Sequence, residues 1–465
     1  MSLAAAQSPL HGDVLADRRR FRPYPAYRES GVRWLGPVPK HWTIRRLKHV
    51  ASLRTSNVNK KSEDDEQPVR LCNYVDVYHR DYITADIPFM EATASLEEIR
   101  RFKLKQGDVL ITKDSEEWND IAVPAYVDEH LDGVVCGYHL AQVRPDSQLL
   151  DGQYLLRAFS SHAIRDQFRV AANGITRFGL SKYAIAAGLF PVPPLEEQEA
   201  IGRFLRRETA RIDELVAKNE RLIELLQEKR VALIGHAVTK GLNPNAPMKS
   251  SQLDWLGDVP VHWDIAPLYA RFWLELGKML DAKQITGKHL VPYVRNIDVQ
   301  WDRVNVEALP EMDIEPHEYR RFILTDGDLL VCEGGEVGRS AIWRGELSLC
   351  GYQKAIHRLR PHSRTDCVRF LFYVLRHAAA TGIFVANGNP NTIPHLTGEQ
   401  LRVYRFPFPP PDEQAAIVTH LDDRTKQLDT LTDRIRNAIE RLHEYRSALI
   451  SAAVTGKMDV RKEPA

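Results

Sequence analysis

Few residues of this 465-residue chain stand in arrangements that make or break bonds. Methyl transfer to a base amine calls for an (Asn/Asp/Ser)-Pro-Pro-aromatic loop that grips a flipped base. The double prolines here read Val192-Pro193-Pro194-Leu195 and Phe408-Pro409-Pro410-Pro411, both without the polar first residue. Gly287-Lys288-His289 and Gly456-Lys457-Met458 lack the upstream glycine and the hydroxyl of a phosphate-cradling loop. No Glu-x-Lys triplet occurs, and Asp281-Ala282-Lys283 has no Pro-Asp partner close upstream of it. The seventeen histidines never fall in His-Glu-x-x-His form. Gly334-Gly335 and Gly351 read as tight turns rather than a phosphate cradle. No catalytic or metal-ligating residue is assigned.

Composition is that of an ordinary folded protein, 43% hydrophobic and 27% charged, and the length calls for more than one core. A formal charge of +1 argues against a uniformly basic coat, so any nucleic-acid face must be local. Five scattered cysteines (Cys72, Cys136, Cys332, Cys350, Cys367) read as reduced thiols of a cytoplasmic protein. The N-terminus has no leader pattern, and no apolar run approaches the roughly 20 residues that span a bilayer. A soluble, cytoplasmic chain with no membrane partner is expected.

Recognition side chains need a frame, and the frame is visible as a repeat. Leu195-Glu196-Glu197-Gln198 opens a proline-free stretch to Val238, and Pro411-Asp412-Glu413-Gln414 opens a second to Val454. Ile212, Val216, Ile223, Leu226 and Leu233 recur in steps of three, four and seven, as do Leu428, Ile435, Ile439, Leu442 and Leu449. That is the seam of a helix lying along another helix, with Asn219, Arg230 and Arg446 as polar residues that fix register. About 43 residues at 1.5 Å each give a rod on the order of 65 Å. Proline before each start costs no hydrogen bond, and the acidic first turns suit the helix dipole.

Upstream of each helix the same words recur. Trp34-Leu35-Gly36-Pro37-Val38-Pro39-Lys40-His41-Trp42 matches Trp255-Leu256-Gly257-Asp258-Val259-Pro260-Val261-His262-Trp263. Arg101-Phe102 to Leu110 matches Arg321-Phe322 to Leu330, both through a Gly-Asp pair. Cys136-Gly137-Tyr138 is set against Cys350-Gly351-Tyr352, Arg144-Pro145 against Arg360-Pro361, and Asn173-Gly174 against Asn387-Gly388. Two copies make an internal duplication, not a solenoid. Asp108–Thr112 and Asp328–Cys332 predict buried strands; Tyr154–Phe168 and Val368–Ala380 predict helices. The expected order is an N-terminal arm (1–30), a first recognition domain (31–192), a first long helix (193–242), a second recognition domain (243–408), and a second long helix with tail (409–465). The fold class is α/β (α+β) recognition domains in duplicate, separated by two long helices forming an antiparallel coiled coil, with pseudo-two-fold symmetry.

The doubled Trp-Leu-Gly-x-Val-Pro-x-His-Trp openings and Pro-Pro-(Leu/Pro)-(Glu/Asp)-Glu-Gln helix starts closely resemble the specificity subunit of type I restriction–modification enzymes, from about Tyr24 to Val460. The resemblance implies two target-recognition domains, each reading one half of a bipartite, asymmetric double-stranded DNA target. It implies that the paired helices set the spacer and dock two methyltransferase subunits, to which motor–nuclease (restriction) subunits attach. It implies no cofactor in this chain, S-adenosylmethionine in the modification subunits, and ATP and Mg in the restriction subunit. The chain departs from the pattern at Pro410-Pro411-Asp412 and at the acidic loop Lys113-Asp114-Ser115-Glu116-Glu117-Trp118, whose counterpart is Glu333-Gly334-Gly335-Glu336-Val337-Gly338.

Base edges are read by Arg, Lys, Asn and Gln, and loops beside sheet ends supply them. In the first domain the candidates are Arg70, Asn73, Tyr74, Lys113, Arg177 and Lys182. In the second they are Tyr293, Arg295, Asn296, Gln353, Lys354, Asn389 and Asn391. Two other readings stand beside this one. A structural coiled-coil adaptor whose globular domains bind protein would show little salt dependence, whereas phosphate neutralisation makes affinity fall steeply with salt. A self-sufficient enzyme would methylate DNA unaided.

Overall fold

The computed structural model of the chain describes residues 22–280, 286–386 and 395–461. Asp281, Asn387, Gly388, Asn389, Asn391 and most of the N-terminal arm lie outside them. The chain divides into two units, one built from Met1–Asn219 with Arg436–Ala465, the other from Glu220–Ile435. Each long helix, Leu195–Lys240 and Pro411–Val454, therefore contributes one part to each unit.

In the first unit the buried strand Val109–Thr112 lies between Leu140–Pro145 and Pro124–Val127, antiparallel to both. Ala51–Thr55 adds one edge and Tyr82–Ile83 the other. A smaller sheet sets Gln67–Cys72 between Val134–Cys136 and Met90–Ala94. The second unit repeats the plan, with Leu329–Cys332 between Ile356–Pro361 and Ser340–Ile342, and Leu290–Val294 between Gly351–Tyr352 and Glu311–Asp313.

The doubled words are the joints of this plan. Gly107 and Gly327 turn the chain at φ +92° and +89°, a conformation that favours glycine. The next residue, Asp108 or Asp328, then bonds the backbone N–H three residues back, from Lys105 or Thr325, at 2.8 Å. The same carboxylates hold the arginines of the Arg-Pro words: Arg144 meets Asp108 at 2.6 and 2.7 Å, and Arg360 meets Asp328 at 2.5 and 2.8 Å. The His-Trp and Glu-Gln words also meet. Glu197 is buried and accepts from Tyr24 Oη (2.5 Å), His41 Nε2 (2.8 Å) and Trp42 Nε1 (2.9 Å). Glu413 holds His262 Nε2 at 2.7 Å. Gln198 and Gln414 accept from the N–H of Asp151 and of Cys367, each at 2.8 Å, tying each long helix to the domain before it.

Each unit's core also includes the end of the other long helix. In the first, Ile201, Leu205 and Ile212 join Leu449, Ile450 and Val454 around Tyr154, Phe159 and Phe190. In the second, Ile234, Ala237 and Val238 join Ile417 and Leu421 around Phe370 and Leu375. Of the seam residues, Ile212, Val216, Leu226, Leu428, Ile435 and Leu449 are buried, while Ile223, Leu233, Ile439 and Leu442 are half-buried. Arg446 bridges Asp213 (3.0 Å) and Asp81 (2.6 Å), and Arg230 donates to the Thr425 carbonyl and pairs with Asp429. Asn219 turns back onto the Leu215 carbonyl of its own helix.

Two sequence expectations are corrected. Tyr154–Phe168 is not one helix but two, Gly152–Ser160 and His162–Ala171, because Ser161 is extended (φ −70°, ψ 127°). The Cys-Gly-Tyr triplets are out of structural register. Leu104 N–H bonds the Val134 carbonyl where Leu324 N–H bonds that of Cys350, so the counterpart of Cys136 is Tyr352.

Candidate nucleic-acid interface

In the first domain the chain leaves Gln67–Cys72 through a capping box, in which Asp76 accepts the Asn73 N–H at 2.8 Å and turns Tyr74 outward. Tyr74 stacks on Tyr78 at 5.4 Å and meets Ser115 Oγ at 3.4 Å. Burial pushes the Tyr74 phenol up, and the Asp120 bond pushes Tyr78 up to about 12. Across a cavity of about 150 Å³ lie Tyr138 and His139, with Asn59, Lys60, Asn73 and Tyr74 completing its lining. Lys113 Nζ sits 4.4 Å from the centre of the Tyr138 ring, a cation–π contact. Beside it Asp114 Oδ1 lies 2.7 Å from His139 Nδ1 and 3.0 Å from an Arg177 nitrogen.

Four sequence candidates, Asn73, Tyr74, Lys113 and Arg177, thus converge on one mouth, together with Asp114, Tyr138 and His139, which were not candidates. The signal for Asp114 was the departure at Lys113–Trp118, read there only as acidic, and that for Tyr138 and His139 was the Cys-Gly-Tyr word. Asn73 is buried, so its side chain serves the turn as well as the mouth. Arg70 lies apart: its guanidinium bonds the Asp132 carbonyl and sits 5.9 Å over Phe89. Lys182 is exposed at the start of the short helix Lys182–Ala187, beside exposed Tyr183.

The second domain has the same mouth with other side chains. Its capping box runs from Arg295 to Asp298, so Asn296 takes the place of Tyr74. The Lys113 carbonyl accepts from Leu180 N–H and its N–H donates to the His139 carbonyl; the Glu333 carbonyl accepts from Leu396 N–H and its N–H donates to the Ala355 carbonyl. Glu333 therefore stands where Lys113 does, Gly334 where Asp114 does, and Lys354 where Tyr138 does. Asn296 donates to the Gly334 carbonyl at 3.0 Å and receives Arg339 at 3.0 Å. Gln353 is half-buried and Lys354 exposed, with backbone N–H groups bonded to Val294 and Lys278.

Two second-domain candidates are engaged within the protein. Tyr293 is 5% exposed and packs with Val291, Met312 and Ile314, because alternate residues of a strand face inward. Arg295 spends its fork on its own turn, meeting Asp298 at 2.8 Å through both Nε and a terminal nitrogen, which raises its pKa. A bidentate base contact would have to break that pair. Among the described residues no group of His, Cys, Asp and Glu is placed to hold a metal, and no helix is long and apolar enough to cross a membrane.

A family model for the type I restriction modification DNA specificity domain matches residues 39–225 and 272–441. The putative type I restriction enzyme MjaX specificity subunit of Methanocaldococcus jannaschii is 21% identical over 435 residues, covering 92% of this chain and 96% of that protein. The EcoKI specificity subunit of Escherichia coli is 21% identical over 453 residues, covering 91% and 90%. Among solved structures, a chain from work on complex assembly and conformational transition of the type I R-M system aligns with TM-score 0.68 at 16% identity, covering 90% of this chain and 98% of that one. The HsdS subunit from Thermoanaerobacter tengcongensis aligns with TM-score 0.53 at 18% identity and the same coverage.

Proposed function

Because the chain belongs to the type I restriction–modification DNA specificity family, matched in both of its halves, we propose that it works as the non-catalytic reader of a larger modification and restriction assembly. It is a sequence-specific DNA-recognition subunit: each domain reads one half of a bipartite target, and the paired helices set the spacer. The observation that carries the two-word reading is the pair of mouths. One backbone frame presents Tyr74, Lys113, Asp114, Tyr138 and His139 in the first domain and Asn296, Glu333, Gly334, Lys354 and Ala355 in the second. A charge reversal at one position and an aromatic-to-lysine change at another give different donor and acceptor patterns, as two different half-words require.

In this reading two methyltransferase subunits dock on the helices and bring S-adenosylmethionine, and motor–nuclease subunits bring ATP and Mg. Leu222 and Leu225 on the first long helix and Leu431 on the second support it, since they are exposed apolar residues beside the seam. The assembly works in the cytoplasm, where its DNA substrate is. Two measurements test the whole. Methylome sequencing of cells carrying this chain with its modification subunits should report one bipartite motif. The purified chain alone, with S-adenosylmethionine, should transfer no methyl group to DNA, and transfer would overturn the non-catalytic reading.

A further inference from the structure

We propose that residues 173–179 of the first domain form a base-reading finger in which Arg177 selects a guanine; this rests on the DNA-recognition reading above. The loop is closed at its neck by two backbone bonds, Asn173 N–H to the Gly179 carbonyl at 3.1 Å and Gly179 N–H to the Asn173 carbonyl at 2.8 Å. Phe178–Gly179 pairs with Asp114–Ser115, which fastens the loop to the short segment just beyond the strand Val109–Thr112. Gly174 adopts φ +147°, and a Cβ there would stand 1.9 Å from the Arg177 carbonyl oxygen, so only glycine lets the loop fold on itself. A loop held this way presents its tip at a fixed height.

The tip carries Ile175, Thr176 and Arg177. Ile175 is 96% exposed. An isoleucine offered so fully to water does nothing for the core, but a thymine methyl group is a fitting partner for it. The Arg177 side chain is half exposed and Asp114 behind it only 17% exposed. One terminal nitrogen of Arg177 lies 3.0 Å from Asp114 and 3.3 Å from His139 Nδ1, while Lys113 Nζ stands 4.0 Å from the other Asp114 oxygen. The carboxylate lies against the guanidinium as an ion pair, without an aligned hydrogen bond at Asp114 Oδ1, and offsets part of its charge. A partly neutralised fork is weaker on a phosphate, where net charge counts most, and still fits guanine O6 and N7. Asp114 and His139 act as positioning residues.

The test uses the full-length chain and selection of binders from duplexes randomised in both half-sites. The wild type should demand a G·C pair at some position of one half-word. Arg177→Ala should lose that demand, by roughly tenfold or more, and Arg177→Lys should keep part of it, with the other half-word unchanged. Ile175→Ser should relax a neighbouring A·T position. Replacing the chosen guanine by 7-deazaguanine, which lacks N7, should weaken wild-type binding and leave Arg177→Ala indifferent. An equal loss of affinity for every sequence in Arg177→Ala would mean a phosphate contact and overturn the finger. Unchanged preferences in folded variants would overturn it too, leaving the DNA-recognition reading intact. A wild-type chain with no sequence preference would overturn both.

Discussion

The imidazole of His377 lies directly on Gly235: a Cβ at that glycine would stand 2.7 Å from the ring. At the matching positions of the first unit, Ser161 Oγ meets Ser451 Oγ at 3.0 Å. Each contact joins a recognition domain to the end of a long helix, once as a large residue over a gap and once as two small hydroxyls. The two joints are alternative solutions to one packing problem, and their parts do not interchange.

Gly235→Ser should therefore destabilise the chain by about 1–3 kcal/mol through overpacking. His377→Ser added to it should recover most of the loss by restoring the serine pair. A double-mutant cycle in denaturant unfolding reads the coupling. Additive effects would show that the two residues do not share this space.

Acid should weaken the first unit through Asp81. Burial pushes its carboxyl up, but Arg157 and Arg446, each at 2.6 Å, outweigh burial and hold it below the ordinary carboxylate range. A depressed folded value means the stabilisation is complete above the unfolded value, about 3.9, and is lost as pH falls through the folded one. Asp81→Asn should cost about 3 kcal/mol at neutral pH. The gap between wild type and variant should close on acidification below about pH 4. A pH-independent gap would contradict this account.

Glu197 and Glu413 should differ in weight although they share a motif. Removing Glu197 strands Tyr24, His41 and Trp42, so Glu197→Ala should cost roughly 3 kcal/mol. Glu413 holds a half-exposed His262, and Trp263 Nε1 is buried without a hydrogen-bond partner among the described residues. Glu413→Ala should cost about 1 kcal/mol or less. Thermal unfolding of the two variants gives the ranking.

The spacer should follow helix length. Seven residues added after Asn219 and seven after Ile435 keep the seam in register and lengthen each helix by about 10 Å. The preferred gap in the target should grow by roughly three base pairs at 3.4 Å each. A selected gap that does not move would sever helix length from spacing.

The long helices were legible because the seam period, the prolines and the acidic starts all agree over more than forty residues. The Gly-Asp and Arg-Pro words were legible as a repeat, yet their meaning was not, since nothing in sequence shows that Arg144 closes on Asp108. Tyr293 is hidden for a related reason: which face of a strand is buried depends on register, and register is a property of pairs of strands. Arg295 differs, since its partner Asp298 lies three residues along the same turn. The Cys-Gly-Tyr triplets misled because identical letters slid two positions against the backbone frame. Ser161 broke an expected helix that its counterpart, with His377, completes.

The backbones of Lys113 and Glu333 are each bonded above and below by neighbouring main-chain groups, whatever their side chains touch. The joints that keep the frame, Asp108 with Arg144 and Glu197 with Trp42, lie at other positions. Letters and grammar are thus separated within each domain. A single substitution at a mouth can change what is read there without asking the fold to be rebuilt. Such a chain can acquire a new vocabulary for one half of its target while the other half stays as it is.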